Sequence, residues 1–371
     1  MSANGTRVVR LHSLHGTYSF PLQRFVDRAT ATQTTFFQLT GEPETGGVTH
    51  RLAENACWYA NRLGYRDIES HLERTRGSLP RQTLHRIVER VATDISEQTA
   101  EEIVATADQP LPPLKEDVDI YDPDTKEVVV MEDGILVKAQ KPHRGKDEKR
   151  PYERINTDVA VLELPDGRFH HITESIDTEG ENVFAVDQAL RAAFVRHWGT
   201  VTTALAVVAL TDGARSIRNH LATVFGMSVV IILDWYHLTK KLQVLLSQVC
   251  HGNAHRKQVQ KAMEKLLWRG DVEGALTVLA EVEPRKPDKA EELRDYLTRH
   301  AVEIIDYERR QKAGKTIGSG RMEKGVDQTV GNRQKRKGMS WSPTGSRALA
   351  HLKCVECNGE WDEFWDQRAA A

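Results

Sequence analysis

Thr203-Ala204-Leu205-Ala206-Val207-Val208-Ala209-Leu210-Thr211-Asp212-Gly213 is an apolar run that ends on an acidic turn. Its length suits a strand, and its unbroken apolar character suits one covered on both faces. A second such run, Met227-Ser228-Val229-Val230-Ile231-Ile232-Leu233, also ends on an acid, Asp234. Upstream, the β-branched stretch Glu127-Val128-Val129-Val130-Met131 reads as a strand that ends at Glu132-Asp133-Gly134.

Between these strands, residues 157–164 alternate in strand fashion, Pro165-Asp166-Gly167 is a turn, and 168–176 reads as the return strand of a hairpin. Residues 181–198 and 214–225 have helical periodicity. The order is strand, strand, strand, helix, strand, helix, strand. That is the plan of a ribonuclease H-like fold, an α/β core on a mixed sheet. Beyond Asp234 strand-like runs vanish, and Leu238, Leu242, Leu245, Leu246 and Val249 open a helical stretch that continues to about residue 310. A Gly-rich basic loop follows over 312–320, and then a helical stretch carrying Glu323.

Towards the N-terminus, residues 1–45 read as irregular, with a linker at Gly41-Glu42-Pro43-Glu44-Thr45-Gly46-Gly47. Leu52, Ala56, Tyr59, Ala60 and Leu63 then recur at helical spacing. A short helix over 65–72, a break at Gly77-Ser78-Leu79-Pro80 and a second helix from Arg81 together resemble a helix-turn-helix. Ser78 is a plausible cap for the second helix, which would carry Arg81, Gln82, His85 and Arg86 to DNA. An ordinary helical bundle is the alternative. Asp108-Gln109-Pro110-Leu111-Pro112-Pro113 marks a stiff boundary. The expected organisation is an irregular segment over 1–48 and a DNA-binding helical region over 49–110. The first part of the core follows over 115–236, a helical insertion over 237–311, and the rest of the core over 312–371.

The chain has 371 residues, 28% of them charged and 39% hydrophobic, with a mean hydropathy of -0.51. This excludes both a disordered polyelectrolyte and a membrane protein, because no apolar run approaches the roughly 20 residues that span a bilayer. Met1 to Arg7 lacks the apolar stretch of a signal peptide, so a cytoplasmic place is expected, with no membrane partner. Four cysteines argue against a disulfide framework. Cys354-x-x-Cys357 lacks the second pair that a zinc site needs.

The net charge is -2, but the charges are unevenly spread. Residues 331–353 contain Arg333, Lys335, Arg336, Lys337, Arg347 and Lys353 and no acid. Residues 138–154 hold seven Lys or Arg against three acids. Such runs are solvated faces or places where phosphates lie. Trp341 could stack on a frayed base or sit in a core.

Asp-Gly is a common turn dipeptide, so Asp133 and Asp212 are weak signals singly. Together, each ending a buried-type strand and followed by a helical acid, they match the need of phosphodiester chemistry. Two Mg²⁺ ions about 4 Å apart can serve an in-line displacement at phosphorus, and Mg²⁺ takes one or two carboxylates with water and phosphate. Asp327, four residues after Glu323, is an alternative third acid.

Three segments carry a family resemblance: Leu210-Thr211-Asp212-Gly213-Ala214-Arg215-Ser216-Ile217, Leu233-Asp234-Trp235-Tyr236-His237-Leu238, and Ile317-Gly318-Ser319-Gly320-Arg321-Met322-Glu323. Together they resemble bacterial insertion-sequence transposases, nearest the Kra-type group of the Mutator-like class. Gly331-Asn332-Arg333-Gln334-Lys335-Arg336-Lys337-Gly338-Met339-Ser340-Trp341-Ser342 and Gly359-Glu360-Trp361-Asp362-Glu363-Phe364-Trp365 add to the likeness, which covers about residues 115–366. The resemblance implies a DDE triad on Asp133, Asp212 and Glu323, which would hold two Mg²⁺ ions, with Mn²⁺ substituting. It implies a supporting pair in Asp234 and His237. DNA contacts would fall on Arg333, Lys335, Arg336, Lys337 and Trp341, beside Arg81, Gln82 and Arg86. It further implies double-stranded DNA partners (the element's inverted repeats and its target), a homo-oligomer on DNA and a place on the bacterial nucleoid. A ribonuclease H-like nuclease or resolvase without strand transfer, and a domesticated DNA-binding derivative, are the alternatives.

Overall fold

The computed structural model describes residues 2–35, 47–74, 79–140, 154–176, 182–318 and 320–370. Most of the expected linker, the Ser78 cap, most of the 138–154 basic run and Ser319 lie outside the described residues.

Strands β1 (Ser2–Ser13) and β2 (Gly16–Val26) pair antiparallel, and β3 (Gln33–Thr35) adds to β2. This corrects the expectation of an irregular segment. The pairing is local and no residue of the two long strands is buried, so their short alternation of Val9, Leu11, Phe20 and Leu22 lies among polar residues and does not stand out. Helices α1 (His50–Ala60), α2 (Tyr65–Arg74) and α3 (Arg81–Thr106) follow. Helix α3 has 26 residues, far more than a short recognition helix. Its stripe of Leu84, Ile87, Val88, Val91, Ala92 and Ile95 is buried, which makes it a strut of the core as well as the second arm of a helical hairpin.

The central sheet is built from β4 (Glu127–Lys138), β5 (Arg154–Glu163), β6 (Phe169–Thr173), β9 (Ala206–Thr211) and β10 (Val229–Leu233). A small pair, β7 (Ser175–Ile176) and β8 (Asn182–Phe184), stands apart from it. The strand order is β10-β9-β4-β5-β6. Strands β10, β9 and β4 are mutually parallel, while β4, β5 and β6 form an antiparallel meander. The fold is thus mixed α/β. Helices α4 (Val186–Trp198) and α5 (Arg215–Phe225) cover one face, where Leu190, Phe194, Trp198, Ile217, Leu221 and Phe225 meet Val128, Val130, Val207 and Ala209.

Beyond β10 the chain is helical, as its periodicity predicts: α6 (Trp235–Val249), α7 (Asn253–Leu267), α8 (Val272–Ala280), α9 (Pro287–Arg299) and α10 (Tyr307–Lys312). Helix α11 (Gly320–Val326), a π-helical turn (Asp327–Gly331), α12 (Asn332–Gln334), α13 (Pro343–Cys357) and α14 (Trp361–Ala370) complete the chain. Helices α6, α11 and α13 belong to the cluster on the second face of the sheet, with Val129, Met131, Val208 and Leu210. The four cysteines are free thiols, and Cys354 and Cys357 lie on α13. No described helix is long and apolar enough to cross a membrane.

A buried ion cluster ties the start of the sheet to the far end of the insertion. The Arg310 guanidinium, with no exposed surface, donates to both Glu127 carboxylate oxygens at 2.9 and 2.7 Å. It also donates to the carbonyls of Thr316 and Ile120. Lys315 Nζ donates to Glu127 at 2.8 Å. Removing one member of a buried pair strands the other charge. Glu127→Gln should therefore lower stability by about 3–5 kcal/mol, read from the urea midpoint. A loss under about 1 kcal/mol, the worth of a surface pair, would show that the cluster is hydrated.

On the inner side of α13, burial pushes the His351 ring down to about 4, against a weaker upward pull from its bond to the Glu174 carbonyl. Above the ordinary histidine value both folded and unfolded rings are neutral and the shift contributes nothing. As pH falls from about 6.5 to about 4 the unfolded ring protonates first, which costs about 1.4 kcal/mol of stability per pH unit. His351→Gln removes that slope. A stability gap between the two proteins that stays constant from neutral to acid pH would refute the account.

Candidate active site

The pattern that builds the site is repeated three times: Val129-x-Met131-x-Asp133, Val208-x-Leu210-x-Asp212 and Val230-x-Ile232-x-Asp234. Alternate strand residues share a face. The apolar members of each triplet pack into the cluster on the second face of the sheet. Pairing sets Met131 beside Leu210 and Leu210 beside Ile232. The three aspartates therefore follow these aligned triplets, Asp212 and Asp234 just past the carboxyl ends of β9 and β10 and Asp133 where β4 leaves its pairing with β9. That end of a parallel sheet is where a crevice opens.

Asp133 does not close its strand, as the sequence suggests. β4 runs on to Lys138 because β5 pairs with it from Val130 to Lys138. Ile135 and Val137 beyond it are buried in the same cluster, so Asp133 is a carboxylate set into an otherwise apolar stripe. It accepts from the Gly134 N–H at 2.8 Å. Burial raises its carboxyl above the ordinary range, and the charges of Asp212 and Glu323 raise it further.

Asp212 begins the turn into α5. Its Oδ1 accepts from the Ala214 N–H at 2.7 Å, and Gly213 takes a φ of +86°. A Cβ on Gly213 would meet His300 Cε1 at 2.6 Å. Behind the turn, Arg218 donates to the Gly213 carbonyl at 3.3 Å and lies 2.9 Å from His300 Nδ1 and 3.2 Å from Glu303. His300 itself lies 2.6 Å from Glu303. The helical insertion thus buttresses the Asp212 turn. Sequence reading missed Arg218, His300 and Glu303, because nothing local links a residue of α5 to two residues near the end of the insertion.

Asp234 is fully buried and caps α6, accepting from the His237 N–H at 2.7 Å. Its own N–H donates to the Thr211 carbonyl at 2.8 Å, which locks it to the end of β9. The His237 ring, 3.4 Å from Asp234, is held above its ordinary value by the hydrogen bond to Asp234, with further help from Asp133 and Asp212. A Cβ on Gly318 would lie 3.3 Å from Asp234 Oδ2, so the chain leading to Glu323 passes directly over this cap.

Glu323 stands in the first turn of α11. Met322, Gly325 and Val326 are buried beneath it. A Cβ on Gly325 would meet Val161 Cγ2 at 3.1 Å, so glycine there seats the helix close on β5. Glu323 itself is exposed and near enough to Asp133 to raise its carboxyl. Asp327, also exposed, lies in the π-helical turn. Among the described residues no three His, Cys, Asp or Glu side chains converge closely enough to hold one metal ion. The donor set of Asp133, Asp212 and Glu323 is all oxygen.

On the other face of β4, burial lifts the Glu132 carboxyl to about 7, against the downward pull of His220 at 2.6 Å. Sequence reading passed over this buried pair too, because Glu132 looks like part of an acidic turn.

The basic residues divide by burial. Lys335, Arg336 and Lys337 are exposed. Arg333 is buried: its Nε donates to the Ala60 carbonyl at 2.7 Å and its guanidinium lies 4.8 Å from the Trp341 ring. Trp341 is also buried and donates to the Gln334 carbonyl. Its backbone bonds to Lys138 and Gln140 extend β4. Arg333 and Trp341 are therefore packing residues, which corrects the expectation that they meet DNA; a charge run does not reveal which of its members the core takes. At the start of α3, Gln82 and Arg86 are exposed, and Arg81 pairs with Glu69 at 2.9 Å.

Removal of the Asp212 charge favours the ionised form of its neighbour. The Asp133 carboxyl in Asp212→Asn should titrate lower than in the parent protein, followed by carboxyl carbon NMR without metal. An unchanged Asp133 titration would mean that the two acids do not share a crevice.

Three comparisons with known proteins complete the description. Residues 195–366 match the model of an uncharacterised protein family, UPF0236. No curated protein matches the chain. Among solved structures the chain is similar to the Drosophila P element transposase strand transfer complex, at 11% identity and a TM-score of 0.27, over 88% of this chain and 83% of that one. That score is too low to carry an argument about fold or function.

Proposed function

We propose that this chain is a DDE transposase that cleaves DNA at the ends of an insertion sequence and transfers the freed strand to target DNA. The observation that carries the reading is the register of Asp133 and Asp212 on neighbouring parallel strands, with Glu323 acting on the same crevice. The strand order β10-β9-β4-β5-β6 supports a ribonuclease H-like core, since it sets a meander of three strands beside two parallel ones. The motifs shared with insertion-sequence transposases point the same way.

Asp133, Asp212 and Glu323 are hard oxygen ligands gathered where like charges raise a carboxyl, and divalent cations relieve such crowding. Two Mg²⁺ ions, for which Mn²⁺ substitutes, need no cage of three side chains each, because Mg²⁺ keeps water and substrate phosphate among its ligands. When bound, they supply Lewis acidity at phosphorus. Asp234 and His237 act as a supporting pair: Asp234 fixes the ring, and the ring faces Asp133 and Asp212 with a raised affinity for a proton. Lys335, Arg336, Lys337, Gln82 and Arg86 are exposed and suited to phosphate contacts. Joining two DNA ends calls for a homo-oligomer, working on the nucleoid of a bacterial cytoplasm.

The test is a cleavage and strand-transfer assay with DNA carrying the element's ends, Mg²⁺, and the parent, Asp212→Asn and Glu323→Gln proteins. Joined products from the parent alone, with DNA binding kept in both variants, are expected. Cutting without joining would identify a nuclease instead, and binding with no chemistry in any protein a domesticated derivative.

A further inference from the structure

The two long N-terminal strands contribute nothing to the core. No residue of β1 or β2 is buried, although the strands run for 12 and 11 residues. Val8 is 69% exposed and Tyr18 51%. A two-stranded hairpin is at best marginally stable on its own in water, and this one is tied to the body near its turn. The His12 N–H donates to the Gly47 carbonyl at 2.7 Å, and the Thr49 N–H to the His12 carbonyl at 2.8 Å. Gly47 is needed at that junction, because a Cβ there would collide with the Arg10 carbonyl.

The charge of this ribbon departs from that of the chain. The whole sequence has 51 Lys and Arg against 53 Asp and Glu. Residues 2–26 contain Arg7, Arg10 and Arg24, with His12 and His15, and no acid. Arg7 and Arg10 lie on β1, the open edge of the three-stranded sheet, and both are exposed. Neither makes an ion pair among the described residues. The pairing register sets Thr6, Val8 and Arg10 on one face with Gln23, Pro21 and Ser19. That face therefore combines a guanidinium, hydroxyls, an amide and a methyl-bearing side chain. The opposite face carries the half-buried Val9, Leu11, Phe20 and Leu22, with the exposed Arg7 at its edge.

We propose that the ribbon β1–β2 is a DNA-reading arm that lays its Thr6-Val8-Arg10 face into the major groove of duplex DNA. The groove of B-form DNA, about 12 Å wide, admits a two-stranded ribbon, whereas the deep, narrow major groove of duplex RNA does not. Arg10 on that face, and Arg7 reaching round the open edge of β1 from the other, neutralise the phosphates that border the groove, and the hydroxyl groups reach phosphate oxygens or base edges. This rests on the reading of the chain as a DNA enzyme and adds a contact surface on which that reading does not depend.

The experiment measures binding of the full chain to a 30-base-pair duplex by fluorescence anisotropy across a salt series, for the parent and for Arg7→Ala/Arg10→Ala. Each phosphate contact adds about 0.9 to the slope of log affinity against log salt. The variant should bind about tenfold or more weakly at low salt, and its slope should flatten by about 1.8. Its thermal unfolding should match the parent's, because neither residue is buried. A photo-crosslinker on Ser19→Cys should attach to duplex DNA and not to duplex RNA of the same sequence. Equal affinity and slope for the parent and variant would overturn the arm while leaving the active-site reading intact. Crosslinking to a second copy of the chain would make the ribbon a protein interface and would also overturn it. A parent protein that binds no duplex would sink both.

Discussion

Met131, Leu210 and Ile232 align across three parallel strands, and that register governs where the residues after them can stand. Side chains alternate with a period of two, so a slip of one residue in either pairing would send an aspartate to the wrong face. The register is fixed by what precedes each acid. Val129, Met131, Val208, Leu210 and Ile232 must all enter the same apolar cluster, and a slip by one residue would carry them to the opposite face, already filled by Val128, Val130, Val207 and Ala209 against α4 and α5. Hydrophobic burial therefore sets the position of three carboxylates that burial alone would disfavour.

Once the aspartates are in line, later segments are fitted against them. The N–H of Asp234 bonds to the Thr211 carbonyl, the Leu233 N–H to the Glu303 carbonyl, and the Trp235 N–H approaches the Ile317 carbonyl. Gly318 passes Asp234 at a distance that no side chain could share comfortably. The buried cluster of Glu127, Arg310 and Lys315 anchors both ends of this arrangement, at the beginning of β4 and at the end of the insertion. Buried charges of this kind are costly unless fully paired, and here every partner is placed by an element distant in sequence. The insertion is thus more than a spacer between Asp212 and Glu323. His300 and Glu303 reach back from it to hold the turn that presents Asp212.

Burial also sorts the cations. Within the run from Arg333 to Lys337, Arg333 turns inward to cap the Ala60 carbonyl beside Tyr65 and Trp341, while Lys335, Arg336 and Lys337 remain in water. A guanidinium suits that inward place because it can donate in one plane while lying against aromatic rings. The N-terminal ribbon shows the reverse: strands with no buried residue keep their arginines outside.

The order of strands and helices in the core, the helical character of the insertion, and the strand-end position of Asp212 and Asp234 are legible in the chain alone, because each is written in a local period or a strong turn. It also contained the triplet ending in Asp133, although the following glycine disguised a strand that continues to Lys138. Packing alone reveals that Asp212 and Glu323 act on the Asp133 carboxyl, that Arg333 and Trp341 are buried, and that Arg218, His300 and Glu303 stand behind Gly213. The same holds for residues 2–26, paired strands whose pattern carries no buried face to announce them. The difference is physical: periodicity reports which side of an element avoids water, while contacts between distant segments depend on register and packing that no local run of residues encodes.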